Sequence, residues 1–151
     1  MNDRMSPAPE LIVILAFDYG TRRIGVASGN TMSRIAQGLC TLECQQHQTP
    51  WAKIDTLVRD YLPSQLVVGL PYNDDGSPTG MTAAAQSFAN ELAQRSKLPV
   101  TLVDERHSSK EAERELAYLR RTGVKTRRVT HADVDMMAAK VVLERWFSQR
   151  H

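Results

Sequence analysis

The stretch Leu11-Ile12-Val13-Ile14-Leu15-Ala16-Phe17-Asp18-Tyr19-Gly20-Thr21-Arg22-Arg23-Ile24-Gly25-Val26-Ala27-Ser28 decides the fold. Leu11 to Phe17 is apolar at every position, which predicts a strand buried on both faces, with no side turned to water. Asp18 ends that run. Gly20 and the polar Thr21, Arg22 and Arg23 supply a tight turn, and Ile24 to Ser28 alternates as a second strand, so the two predict a hairpin. A weaker third strand is expected within Ile35 to Glu43.

Outward from the hairpin the pattern changes period. Trp51 to Tyr61 places Ile54, Leu57, Val58 and Tyr61 on one helical face, and Pro63 stops it. Leu66 to Val68 is a short buried strand closed by Gly69 and Pro71, and Tyr72 to Gly80 has loop chemistry. A helix is expected from about Met81 to Ser96, with Met81, Ala85, Phe88 and Leu92 at core spacing. Val100 to Val103 is a further strand running into Asp104-Glu105-Arg106. Ser108 with Glu111 three residues on predicts a capping box opening a helix that Gly123 closes. A last helix is expected from about Asp133 through Trp146. The order β-β-β-α-β-α-β-α-α predicts an α/β fold, a mixed five-stranded sheet with helices on both faces.

The 151 residues fit a single domain, residues 11–151, preceded by a loose tail at residues 1–10. With 42% hydrophobic and 24% charged residues the balance is that of a soluble globular protein. A net charge of +2 is too small to draw a polyanion by itself, so any such affinity must come from a local patch. The one strongly apolar run is too short to span a bilayer, and it lacks the flanks of a signal peptide, so no membrane role is expected. Cys40 and Cys44 on one strand would stand about 13 Å apart, beyond disulfide reach. They are read as reduced thiols of a cytoplasmic protein.

Three carboxylates stand at the ends of rigid elements drawn from distant parts of the chain. Asp18 ends the first buried strand, Glu105 ends the last, and Asp135 falls in the first turn of the final helix. Open α/β sheets place their sites outside such strand ends. A buried acid must be neutralised. Arg22, Arg23 and Arg106 offer ion pairs, whereas several acids without histidine or thiolate suit a hard divalent ion such as Mg²⁺ or Mn²⁺. Taken one at a time these acids read as salt-bridge partners; the constellation of three favours the metal. Spacing leaves Asp104 and Glu105 unresolved, because neighbours on a strand face opposite ways. Asp133 is read as a helix cap and Asp135 as the metal ligand.

Arg120, Arg121, Lys125, Arg127 and Arg128 put five positive charges into nine residues leading straight to the helix of Asp135. Cations beside a cationic metal site do not help to hold the metal; they hold a polyanion against it. The run has no interleaved aromatics, which favours backbone contact over base readout. In the loop after the fourth strand, Asn73 could bond a phosphate or serve as a turn former.

Four segments together are similar to a known family: Asp18-Tyr19-Gly20-Thr21-Arg22-Arg23-Ile24-Gly25-Val26-Ala27, then Val68 to Asn73 with Asp75-Gly76, then Asp104-Glu105-Arg106, then Val134-Asp135 with Ala138-Ala139. In order and spacing they resemble the YqgF/RuvX family of bacterial ribonuclease H-like nucleases, described as Holliday junction resolvases and as pre-16S ribosomal RNA nucleases. The match runs from about Leu11 to Phe147. It implies a ribonuclease H-like fold, Asp18, Glu105 and Asp135 as catalytic acids and metal ligands, and hydrolysis of a phosphodiester with two ions about 4 Å apart. It also raises Asn73 to a site residue beside Arg22, Arg23, Arg106, Lys125, Arg127 and Arg128 as nucleic-acid contacts. Two positions depart from it: His107 stands where an apolar residue is common, and Asp133 where a basic one is common, leaving a possible fourth acid.

The resemblance points to pre-16S ribosomal RNA as substrate, with a four-way DNA junction as the alternative. A junction would favour a symmetric dimer; RNA is compatible with a monomer. A non-catalytic RNA-binding assembly factor is the rival from another class, and the three retained acids argue against it. The first motif also resembles the phosphate hairpin of actin-like ATPases, but those need two related domains and this chain has length for one.

Overall fold

The computed structural model describes residues 11–123 and 129–150. The expected tail at 1–10 and the cations Lys125, Arg127 and Arg128 lie outside those residues. The strands are β1 (Val13–Asp18), β2 (Arg23–Asn30), β3 (Ala36–Glu43), β4 (Gln65–Leu70) and β5 (Val100–Asp104). The helices are α1 (Trp51–Tyr61), α2 (Gly80–Ser96), α3 (Ser108–Arg121) and α4 (His131–Gln149). The sheet order is β3-β2-β1-β4-β5, with β1, β2 and β3 antiparallel and β4 and β5 parallel to β1. This is the mixed five-stranded α/β sheet expected.

β1 is central, which is why its sequence does not alternate. Leu15 and Phe17 point to one face, where they pack with Ile54 of α1 and Phe88 and Leu92 of α2. Ile14 and Ala16 point to the other, under Ala139, Val142, Leu143 and Trp146 of α4. Leu11 is 60% exposed, so the buried run begins later than the apolar run. α3 reaches the core by packing on α4, through Ala112 and Leu116 against Met137 and Ala138. The layers are therefore α1 and α2, sheet, α4, then α3. Each buried aliphatic or phenyl side chain contributes about 1.5–3 kcal/mol of transfer free energy, and the two faces of β1 share that burial.

Two caps differ from expectation. The N-cap of α3 is His107, in the left-handed region at φ 65°, with no side-chain capping bond. Ser108 is therefore the first helical residue and not the cap that the expected box requires, and Glu111 accepts from Arg145 Nη2 at 2.6 Å. α4 starts at His131, two residues earlier than the sequence suggested. Its cap is Thr130, whose Oγ1 accepts from Asp133 N at 3.2 Å while Asp133 Oδ2 accepts from Thr130 N at 2.9 Å. Asp133 is thus the third-position member of a capping box and not the cap itself. Asp135, in consequence, sits in the second turn. Thr130→Ala should lower stability by about 1–2 kcal/mol, read as a shifted denaturant midpoint at unchanged slope.

Cys40 and Cys44 are free, and burial pushes both thiols up, away from reactivity. Among the described residues no helix is long and apolar enough to cross a membrane.

Candidate active site

The face on which α4 lies sets the site by parity. Ala16 belongs to that face, so Asp18, two residues on, does too. Val103 belongs to it, so Glu105 follows and Asp104 turns away. The period-2 rule thus resolves the pair once the helix is in place.

Two glycines let the acids approach. Gly25 is the cross-strand partner of Asp18. A Cβ there would lie 1.9 Å from the Asp135 carbonyl oxygen, so α4 rests its backbone directly on β2 beside Asp18. On β4, a Cβ at Gly69 would come within 2.9 Å of the Glu105 carboxylate and 2.8 Å of Val142. Glu105, only 7% exposed, is packed over that bare strand.

Asp18 and Glu105 come close enough for each carboxyl to disfavour the charged form of the other. Burial first, then the charge of Glu105 and its hydrogen bond, then the charge of Asp135, hold the Asp18 carboxyl well above its ordinary value of 3.8. Asp135 is engaged separately: Arg23 Nε donates to its Oδ2 at 2.6 Å. Asp104 takes a different partner. Burial pushes it up, but hydrogen bonds from the Arg106 side chain at 2.9 Å and backbone at 2.8 Å outweigh that and hold it low. The ion-pair reading of the arginines therefore describes Arg23 and Arg106. Among the described residues no three acid, histidine or cysteine side chains stand close enough to hold an ion as they are.

Asp18 and Glu105 open on a cleft of about 300 Å³ whose walls include Tyr19, Tyr72, His107 and Lys110. Its rim is the loop between β4 and α2. Asn73 closes that loop on itself, its Nδ2 donating to Ser77 Oγ at 3.0 Å and its backbone N to Ser77 O at 2.8 Å. Arg106 Nη1 reaches the Asp74 carbonyl at 3.4 Å, and His107 Nδ1 lies 3.5 Å from Asp74 Oδ1. The loop is thereby tied to the strand end that carries Glu105. Arg22 is exposed on the β1–β2 turn. Sequence reasoning missed Lys110, Tyr19 and Tyr72. A signal existed for Lys110: a cation in the first turn of a helix opposes the macrodipole and asks for a reason.

The family model RuvX, described as Holliday junction resolvase, matches residues 12–149. The chain belongs to the RuvX family. Relatives carry the name "Putative pre-16S rRNA nuclease". That of Dechloromonas aromatica is 43% identical over 138 residues, covering 91% of this chain and 92% of its own. That of Azotobacter vinelandii is 41% identical over 139 residues, covering 91% and 94%. Among solved structures, Thermus thermophilus RuvC in complex with Holliday junction substrate aligns with a TM-score of 0.55 at 16% identity, covering 91% of this chain and 94% of that one. That likeness establishes the ribonuclease H-like fold. The RuvX description and the relatives' name both denote enzymes that cut nucleic-acid phosphodiesters, and this chain is a nuclease of that family.

Proposed function

We propose that Asp18, Glu105 and Asp135 are the catalytic acids and the ligands of two divalent ions, Mg²⁺ or Mn²⁺, and that the substrate is the 5′ leader of pre-16S ribosomal RNA. The observation that carries the site is the convergence of the three acids at one end of the sheet, with Glu105 packed over Gly69, the backbone of Asp135 resting on Gly25 opposite Asp18, and both charges raising the Asp18 carboxyl. Carboxyls crowded together, with Glu105 buried and Asp18 held away from its charged form, make a place where a cation would be welcomed. An all-oxygen donor set suits a hard ion. Bound there, divalent ions supply neutralisation of the phosphate and acidification of the attacking water.

The chain's own residues do the rest. Asp18 stands between the other two acids and faces both. Gly69 and Gly25 hold Glu105 and Asp135 in place by leaving no side chain between them and the sheet. Arg23 orients Asp135 and neutralises it where no metal does. Arg22, Arg106, Lys125, Arg127 and Arg128 are proposed to meet the nucleic-acid backbone, with Arg106 also bracing Asp104. Asn73 is proposed to act through the loop it closes. The ribosomal RNA substrate rests on the relatives' name and implies a cytoplasmic setting.

The test is cleavage of a pre-16S leader RNA and of a four-way DNA junction, with Mg²⁺ or Mn²⁺, by wild type and Asp135→Asn. Metal-dependent RNA cleavage lost in the variant supports the proposal. Symmetric nicking of the junction alone would move the substrate to DNA and call for a dimer, consistent with the RuvX description. RNA binding with no cleavage would leave an assembly factor.

A further inference from the structure

Among the described residues, three arginines around the acids hold carboxylate partners. Arg23 holds Asp135 at 2.6 Å, Arg106 holds Asp104 at 2.8 Å, and Arg145 holds Glu111 at 2.6 Å. Lys110 is different. It lines the same cleft as Asp18 and Glu105, yet its side chain makes no ion pair or hydrogen bond among the described residues. An ammonium beside several carboxylates that neutralises none of them is not serving as a structural counter-ion.

Its position is held firmly even though its side chain is free. The next residue, Glu111, is clamped by Arg145, which also donates to the Asp104 carbonyl at 2.9 Å, and Ala112 is fully buried against α4. The first turn of α3 is thus bolted to the end of β5, and the lysine projects from it beside the acids. A cation there opposes the helix macrodipole, so helix stability gives no account of it. A nucleic-acid strand entering this cleft also meets Asp74, whose charge the proposed ions do not offset.

We propose that Lys110 is a phosphate-gripping, positioning residue, holding a phosphate of the nucleic-acid strand against the acids next to the bond being cut. This rests on the nuclease reading above. The contact is to the backbone, so it is independent of sequence. A lysine suits it because a point charge on a flexible stem follows a phosphate without demanding one geometry.

Lys110→Met keeps the apolar stem and removes the charge; Lys110→Arg keeps the charge. Lys53→Met, on α1 across the sheet, is the control. Cleavage kinetics with Mg²⁺ and equilibrium binding in EDTA would be measured with labelled leader RNA and labelled four-way junction. Lys110→Met should raise KM about tenfold with kcat within about twofold, because the contact is made before and during the reaction alike. The slope of log Kd against log salt should flatten by about one phosphate contact. Arginine should restore both, and the control should leave both unchanged. A Lys110→Met enzyme with wild-type KM and salt slope overturns the assignment, as does a loss confined to kcat. If wild type cuts neither substrate, the nuclease reading fails and takes this one with it. If wild type cuts and Lys110→Met matches it, only the lysine assignment falls.

Discussion

Asp18→Asn should abolish metal-dependent cleavage and, in the same protein, raise the stability of the metal-free fold. The first effect follows from its place between Glu105 and Asp135. Removing the carboxylate that both other acids face withdraws several kcal/mol of charge stabilisation, about 10³-fold in rate or more. The second follows from the strain on its charged form. The folded protein keeps the Asp18 proton at pH values where the unfolded chain, titrating near 3.8, has released it. The folded state therefore binds more protons in that window, and stability falls as pH rises. The contribution is fully present below the unfolded value and is lost as pH climbs through the raised folded one.

Asparagine has no such proton to lose. In EDTA the variant should match wild type near about pH 4 and exceed it increasingly toward neutrality. Added Mg²⁺ should stabilise wild type by mass action and leave the variant unmoved. Thermal unfolding across that range, with and without metal, together with single-turnover cleavage, reads all three effects. A variant that cuts at the wild-type rate, or that is less stable at every pH, would remove Asp18 from the centre of the site.

Gly25→Ala is expected to be the most destabilising single methyl around the proposed catalytic acids. The new Cβ would stand 1.9 Å from the Asp135 carbonyl oxygen, 2.4 Å from its carbon and 3.0 Å from Met136 N. These are backbone atoms of a helix and have no rotamer through which to yield. α4 must lift, and it carries Ala139, Val142, Leu143, Trp146 and Phe147 out of close contact with the sheet. Overpacking of this kind costs about 3 kcal/mol or more, a fall of roughly 10 °C in Tm for a chain this size. Asp135 travels with the helix, and a displacement of about 1 Å at a reacting centre is enough for a hundredfold loss of rate. Gly80→Ala makes the comparison clean: nothing lies within 4 Å of its Cβ, at the start of α2. That variant should be neutral or gain about 0.5 kcal/mol. Equal denaturant midpoints for the two would mean that α4 does not rest on β2 as described.

Much of this architecture could be read without coordinates because its signals are local. The unbroken apolar run of β1 announces burial on both faces, and the face pattern of Trp51–Tyr61 sets α1 to the residue. Thr130-His131-Ala132-Asp133 carries the cap of α4 in its spacing, with the threonine as cap and the aspartate, itself a common cap residue, as its third-position partner. The placement of Asp18 and Glu105 at strand ends was equally visible, since a change from apolar to acidic is a one-dimensional event.

What the residues alone determined was therefore which elements form and which acids stand at their ends. What only the tertiary structure decided was which of those side chains meet. Alternation says that Asp104 and Glu105 face opposite ways, but the choice fell to Glu105 because α4, from far along the chain, packs on the face of Ala16 and Val103. The Arg23–Asp135 pair spans 112 positions, and no local pattern encodes it. Lys110 gave a local hint in its unfavourable helical turn, yet its nearness to the acids depends on the clamp between Arg145, Glu111 and the end of β5. Periodicity is a property of neighbours along the chain, whereas an active site is a property of neighbours in space, joined here by close packing across two bare glycines.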